Sequence, residues 1–120
     1  MSGGPVRTPF AEMLSALTRQ RGVLGSMVVS ESDGIIVDST LQIGVKGGAV
    51  AALAASLYRK ARTSAEAALL GGATFVTLEA DHGRVCAVGR NDLVLVTVAE
   101  PRANVGLIRV EMLRAAGALG

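Results

Sequence analysis

Apolar positions along this chain change period several times, and each change marks an element. Phe10, Met13, Leu14 and Leu17 fall at helical spacing behind Thr8-Pro9, an N-cap followed by proline at the first helical position. That pattern predicts an amphipathic helix over residues 8–21. The run GVLGSMVVS is rich in β-formers, ESDG (Glu31 to Gly34) is a turn signal, and IIVDS follows. Together they read as a hairpin. A helix is predicted at residues 44–62, GVKGGAVAALAASLYRKAR, after which TSAEAALLGG breaks the pattern at Gly71-Gly72. Three strand-like runs then follow, ATFVTLEA, RVCAVGR and DLVLVTVAE, joined by DHG and RND. Both connections are short enough for hairpins. In the first run Thr74, Val76 and Leu78 alternate with Phe75, Thr77 and Glu79, as an antiparallel strand requires. PRANVGLIRVEMLRAAG closes the chain as a helix, with Asn104 as cap and Val105, Ile108 and Met112 on one stripe. Helix, two strands, helix, three strands, helix predicts an α+β fold on an antiparallel sheet of five strands.

The central helix is unusual because it carries no charge from Gly47 to Tyr58. On a wheel turning ~100° per residue, Leu53, Ala54, Leu57 and Ala61 fall within about 60° of Val50. This stripe holds the bulkiest aliphatic residues and is expected to face the sheet. The opposite side holds Gly48, Ala51, Ala52, Ala55 and Arg59, small and apolar with a basic end. Alanine on a solvated face could serve helix propensity alone. Solvated faces usually include Glu or Lys, however, and a smooth Ala/Gly face lets another backbone approach closely. The patch therefore points to an interface.

Composition narrows the classes of partner. The 120 residues suit one domain, expected over residues 8–118 behind a tail of residues 1–7. Half the residues are apolar and 18% charged, which excludes a disordered chain. The aromatics are Phe10, Tyr58 and Phe75 alone, so the core must be aliphatic. Net charge is +2, and the basic residues are scattered rather than massed. That argues against nucleic acid. One cysteine, Cys86, cannot form an internal disulfide, and MSGGPVR lacks the regions of a secretory signal. No apolar run reaches the ~18 residues of a membrane span. A cytoplasmic protein is expected.

Candidate chemistry is sparse. Neither GVKGGA nor LGGATF is followed by the Lys-Ser or Lys-Thr of a phosphate-binding loop, and no G-x-G-x-x-G follows a strand. His82 sits beside Asp81 in a turn without a second ligand, and Cys86 lies mid-strand as a buried thiol. Asp33 and Asp38 read as turn and strand-end residues, and Ser26 and Ser30 have no identifiable base. No constellation supports acyl transfer, phosphoryl transfer or metal hydrolysis. The expectation is a non-catalytic protein with no catalytic residue, cofactor or metal.

Particular residues then carry a resemblance. GVLGSMVVSESDGIIVDS, with Gly22-Val23, Gly25 and Asp33-Gly34, resembles the first hairpin of the roadblock (dynein light chain roadblock-type) family. LEADHGRVCAVGRNDLVLVTVAEPRANVGLIRVEMLRAA resembles its last two strands and final helix, with Asn104, Gly106 and Leu107 matching the N-x-G-L opening of that helix. The resemblance implies a profilin-like three-layer sandwich: a five-stranded antiparallel sheet, the central helix on one face and the two terminal helices on the other. It also implies a homodimer joined edge to edge through the third strand, which places Thr74, Phe75, Val76, Thr77 and Leu78 at the dimer edge. Members similar to the bacterial gliding-motility regulator MglB dock a Ras-like small GTPase on the paired central helices and modulate its nucleotide cycle. On this chain the docking face would be Gly48, Ala51, Ala52, Ala55 and Arg59. Arg59 could act as an arginine finger, although a basic residue at a helix end is more often a rim contact. Two other functions fit the same sequence: a dimeric scaffold with no effect on nucleotide turnover, and a small-ligand sensor, which the low aromatic content disfavours.

Overall fold

The computed structural model describes residues 8–120, and the tail expected over residues 1–7 lies outside them. The first helix, α1 (Ala11–Thr18), starts later than the sequence pattern suggests. Thr8 caps a preceding turn instead: its hydroxyl accepts the Phe10 amide at 3.2 Å and its carbonyl accepts the Ala11 amide at 3.2 Å. The hairpin follows as β1 (Val23–Ser30) and β2 (Ile36–Leu41). The central helix α2 spans Gly47–Ala67, so TSAEA continues it rather than breaking it. Three strands come next, β3 (Val76–Ala80), β4 (Gly83–Arg90) and β5 (Leu93–Ala99). The chain ends in α3 (Val105–Ala115), whose Asn104 side chain accepts the Leu107 amide at 3.1 Å, and a short 3₁₀ turn, Ala116–Leu119.

All neighbouring strands are antiparallel, in the order β2-β1-β5-β4-β3. The tight β4–β5 turn places Asn91 and Asp92 at φ 53° and 64°, which matches the right-handed twist of a two-residue hairpin. Alternation along the inner strands divides the core in two. Val28, Cys86 and Leu95 face α1 and α3, where Leu14, Leu17, Ile108 and Met112 are buried. Met27, Val29, Ala87, Val94 and Val96 face α2. β1, β4 and β5 are covered on both faces, which is why their sequences read as nearly continuous apolar runs. The α+β fold that the sequence pattern predicts is observed, arranged as the three-layer sandwich that the resemblance implies.

The orientation of α2 differs from the expected one. Ala51, Ala54, Ala55 and Tyr58 meet the sheet, at the i, i+3, i+4, i+7 spacing of one helical face. Ala51 and Ala55, expected on the outer partner face, are 0% and 2% exposed; Leu53, expected in the core, is 44% exposed. The helix is turned by roughly a quarter of a revolution from the wheel centred on Val50. The physical reason is the distance of approach. Short side chains let the helix backbone lie close to Met27, Val29, Val94 and Val96, which themselves fill the layer. The one large residue in the face, Tyr58, lies over Gly89 of β4, where any Cβ would overlap its ring. Its hydroxyl donates to the Ala73 carbonyl at 3.2 Å.

The end of α2 follows a Schellman pattern, in which the Leu69 amide donates to the Glu66 carbonyl at 3.1 Å and the Leu70 amide to the Ala65 carbonyl at 2.9 Å. Glycine normally takes the left-handed position of this motif, yet Leu69 occupies it at φ 62°. A leucine there costs about 1 kcal/mol.

Five substitutions check this packing. Gly89→Ala should destabilise the fold by about 2 kcal/mol in denaturant titration, through collision with Tyr58. Gly48→Ala, on the open side of α2, should leave stability unchanged or raise it by about 0.5 kcal/mol. Ala51→Arg should unfold the domain or cost on the order of 4 kcal/mol by burying an unpaired charge. Ala52→Arg and Leu53→Arg should both retain native circular dichroism. A stable Ala51→Arg protein would show that the helix face is misassigned.

Candidate functional site

Rotation of α2 leaves Gly48, Ala49, Ala52, Leu53 and Ser56 exposed on its outer side, with Arg59 and Lys60 one turn further on. The outer face is therefore still uncharged over its first half, but with a changed membership. Of the residues expected there, Gly48, Ala52 and Arg59 are exposed and Ala51 and Ala55 are not. Ala49, Leu53 and Ser56 were absent from the expected face, and only the orientation of α2 in the fold places them on it. Val50 and Leu57 are half-buried on the same flank as Leu53.

The two flanks of α2 are not alike. On the β2 side the β1–β2 turn is tied to the helix. Arg59 Nη1 donates to the Glu31 carbonyl at 2.8 Å, and Arg62 grips the Glu31 carboxylate through Nε at 3.3 Å and Nη2 at 2.7 Å. That hydrogen bond and the carboxylate charge hold the Arg62 guanidinium pKa above its ordinary value. Gly34, at φ 72°, lets the turn pass beside Ala52, whose Cα lies 3.4 Å from where a Cβ would stand. Within the turn the Ile35 amide donates to Asp33 Oδ1 at 3.0 Å, which lowers the Asp33 pKa. On the other flank Leu53 borders a groove of about 420 Å³, lined by Leu78, Ala80, Val85 and Val98 and by residues 81–84 of the β3–β4 hairpin.

β3 forms one edge of the sheet and β2 the other. Of the residues expected on the dimer edge, Val76, Thr77 and Leu78 lie in β3, paired with Ala87, Cys86 and Val85. Thr74 and Phe75 precede the strand. Phe75 turns toward the α1–α3 layer, where the Arg109 guanidinium stands 5.7 Å from its ring centroid. Val76 and Leu78 point to the α2 side and Thr77 is exposed.

The groups singled out for chemistry are dispersed. His82 is exposed in the β3–β4 turn. Cys86 is buried; burial pushes its thiol pKa up, against a smaller opposing effect from Thr77, whose hydroxyl lies 3.6 Å from the sulfur. Burial likewise raises the Tyr58 phenol. Asp38 is engaged by the Thr8 hydroxyl, far from Asp33 in the turn. Ser26 is buried and donates to the Leu14 carbonyl at 2.9 Å. Among the described residues no three potential metal ligands cluster, and no helix is long and apolar enough to cross a membrane.

What this arrangement offers is surface: an uncharged helix face, an apolar flank and an open strand edge on the same side of the sheet. Known proteins share the frame. The model of the Roadblock/LC7 domain matches residues 9–99. A protein of Methanocaldococcus jannaschii is 37% identical over 112 residues, covering 92% of this chain and 93% of its own. A second from the same organism is 33% identical over 104 residues, covering 87% and 90%. Among solved structures, a Roadblock/LC7 domain from Streptomyces avermitilis has a TM-score of 0.79 at 20% identity, covering 90% of this chain and 92% of that one. The gliding protein MglB of Thermus thermophilus reaches 0.79 at 15% identity, covering 96% and 90%. An MglB with a tetrameric arrangement reaches 0.81 at 17%, also covering 96% and 90%. At such identities the structures share a fold; the family model and the archaeal relatives reach further, and by them this chain belongs to the Roadblock/LC7 family.

Proposed function

We propose that the protein is a roadblock-type regulator: a cytoplasmic homodimer, joined through β3, that docks a Ras-like small GTPase on its paired central helices and modulates the partner's nucleotide cycle. The observation that carries this reading is the placement of Val50, Leu53 and Leu57. The most apolar stripe of α2 is not centred on the sheet: Val50 packs at the margin of the core, Leu57 is half-buried and Leu53 is exposed, on the flank toward the open β3 edge. A second copy pairing β3 with β3 would bring its own α2 alongside and cover that flank. The outer faces of the two helices would then form one surface of Gly48, Ala49, Ala52 and Ser56, bounded by Arg59 and Lys60. Small uncharged residues allow close approach of a partner's loops, and the basic rim would orient it.

In this reading the chain supplies no catalytic group and binds no cofactor. Arg59 is already engaged by the Glu31 and Ser32 carbonyls, at 2.8 and 3.5 Å. That favours a role in fixing the β1–β2 turn beside the docking face over a role as an arginine finger. Regulation would come from repositioning the GTPase's own loops around its nucleotide. The likeness to MglB of Thermus thermophilus, a gliding protein, supports the choice of partner class through the shared fold.

Sedimentation should show a dimer, and Thr77→Lys, which sets like charges across the paired edges, should weaken it at least tenfold. Affinity for Ras-like GTPases, measured with GDP and with a GTP analogue bound, should depend on the nucleotide. It should fall at least tenfold in Ala52→Arg, and the hydrolysis or exchange rate should change on binding. Binding indifferent to nucleotide, with no change in either rate, would leave a scaffold. A monomer, or a dimer without affinity for either state, would overturn the proposal.

A further inference from the structure

Two leucines at the tip of α2 stand almost wholly in solvent. Leu69 is 92% exposed and Leu70 79%, and they are followed by Gly71-Gly72, which carry no side chain to shield them. Leu69 is moreover held at φ 62°, the position a glycine would take without strain. Strain and exposed apolar area in one residue ask what the side chain meets.

The fold limits the answer. α2 crosses the sheet obliquely: Gly47 at its start stands over Leu41 and Ile36 of β2, and Tyr58 stands over Gly89 of β4. Its C-terminal end is thus carried toward the β3 edge, and the chain returns through Ala73 to enter β3 at Val76. Leu69 and Leu70 lie at the end of β3 where the strand begins. The groove beneath Leu53 lies at the other end, where β3 finishes: Leu78 and Ala80 pair with Val85 and Gly83, and Val85 pairs with Val98. The leucines of one chain therefore cannot fill the groove of the same chain.

A second copy can. In an antiparallel β3–β3 pairing about a two-fold axis near Thr77, Thr74 of one copy stands opposite Ala80 of the other. Strand beginnings then lie beside strand ends. The segment leading into β3 runs past the groove of the second copy, on the α2 side of the joined sheet. Leu78 belongs both to the edge strand and to the groove wall, so the two contacts are continuous. We infer that Leu69 and Leu70 of each chain seat in the groove between α2 and the β3–β4 hairpin of a second copy, as a reciprocal clasp at both ends of the dimer. The inference rests on the β3-edge homodimer proposed above and adds to it the residues that lock it. The groove holds about 420 Å³, room for branched aliphatic side chains; Leu53, Leu78, Ala80, Val85 and Val98 give it apolar walls, and Asp81, His82 and Arg84 also line it.

Cysteine pairs test the two layers of this separately, with a short bis-maleimide as probe and the parent chain, whose Cys86 is buried, as the blank. Thr77→Cys, made in a Cys86→Ser background because the Thr77 hydroxyl stands 3.6 Å from the Cys86 sulfur, reports the edge pairing by linking to its own copy. Leu70→Cys in one chain mixed with His82→Cys in another reports the clasp, because His82 stands on the rim of the groove. Covalent dimer is expected in both experiments, and Leu69→Gly with Leu70→Ser should raise the dimer dissociation constant at least tenfold while helix content is kept. Linking through Thr77→Cys without linking between Leu70→Cys and His82→Cys would overturn the clasp and leave the edge pairing standing. No linking in either would overturn the edge pairing and the clasp together. An unchanged dissociation constant in the double variant would also overturn the clasp.

Discussion

The closeness of α2 to the sheet is the constraint on which its surroundings depend. Ala51, Ala54 and Ala55 touch strands whose own side chains, Met27, Val29, Val94 and Val96, fill the layer between them. Interiors pack at nearly constant density, so a thin helix face and a thick sheet face are complementary choices. The Tyr58–Gly89 pair follows the same rule with the roles reversed, a large helix residue over a strand position without a side chain. An alanine face buries less apolar area than a leucine face would, at about 25 cal/mol per Å². The larger aliphatics of the helix, Val50, Leu53 and Leu57, are displaced to a flank that a single chain does not fully cover.

That same closeness brings the helix within reach of the β1–β2 turn. An exposed ion pair contributes little by itself. The Glu31 side chain, however, is only 14% exposed, and it is held twice by Arg62 while its carbonyl is held by Arg59. The turn and the outer face of α2 thus form one mechanical unit, and a partner that displaced Arg59 would loosen both.

Most of the element order and the sheet were legible in the sequence because period and turn chemistry are local signals. Asn104 caps α3 as its type and position imply, and the short β3–β4 and β4–β5 connections are hairpins. The sequence pattern ends α2 at Arg62, but TSAEA continues it to Ala67, and Leu69, in a conformation sequence rules assign to glycine, stops it ahead of Gly71-Gly72. The face of α2 was misread for a deeper reason. Helical periodicity identifies the most apolar stripe but not whether that stripe meets its own sheet or another molecule. Val50, Leu53 and Leu57 give the same signal in either case. Which residues touch the sheet depends on the room the strands leave, and that is a property of Gly89, Met27 and Val94, far away in sequence. Phe75 alternates with Val76 as the sequence implies, and its ring lies in the layer of α3, beside Arg109.

The two sheet edges show why association would involve β3. Edge strands left flat and uncharged invite pairing, and bulges or charges discourage it. β2 carries both deterrents: its register with β1 shifts between Val28 and Val29, and Asp38 stands in the strand under the hydroxyl of Thr8. β3 keeps an unbroken register with β4 from Val76 to Ala80, and its one charge, Glu79, is neutralised by Arg84 at 2.6 Å. An open β2 edge and an open β3 edge on one chain could join head to tail without end. Blunting one of them removes that route and leaves β3 with itself as the complementary partner. A strand paired with its own copy closes about a two-fold axis, so in the proposed β3 pairing the asymmetry between the edges would favour a finite dimer over a fibre.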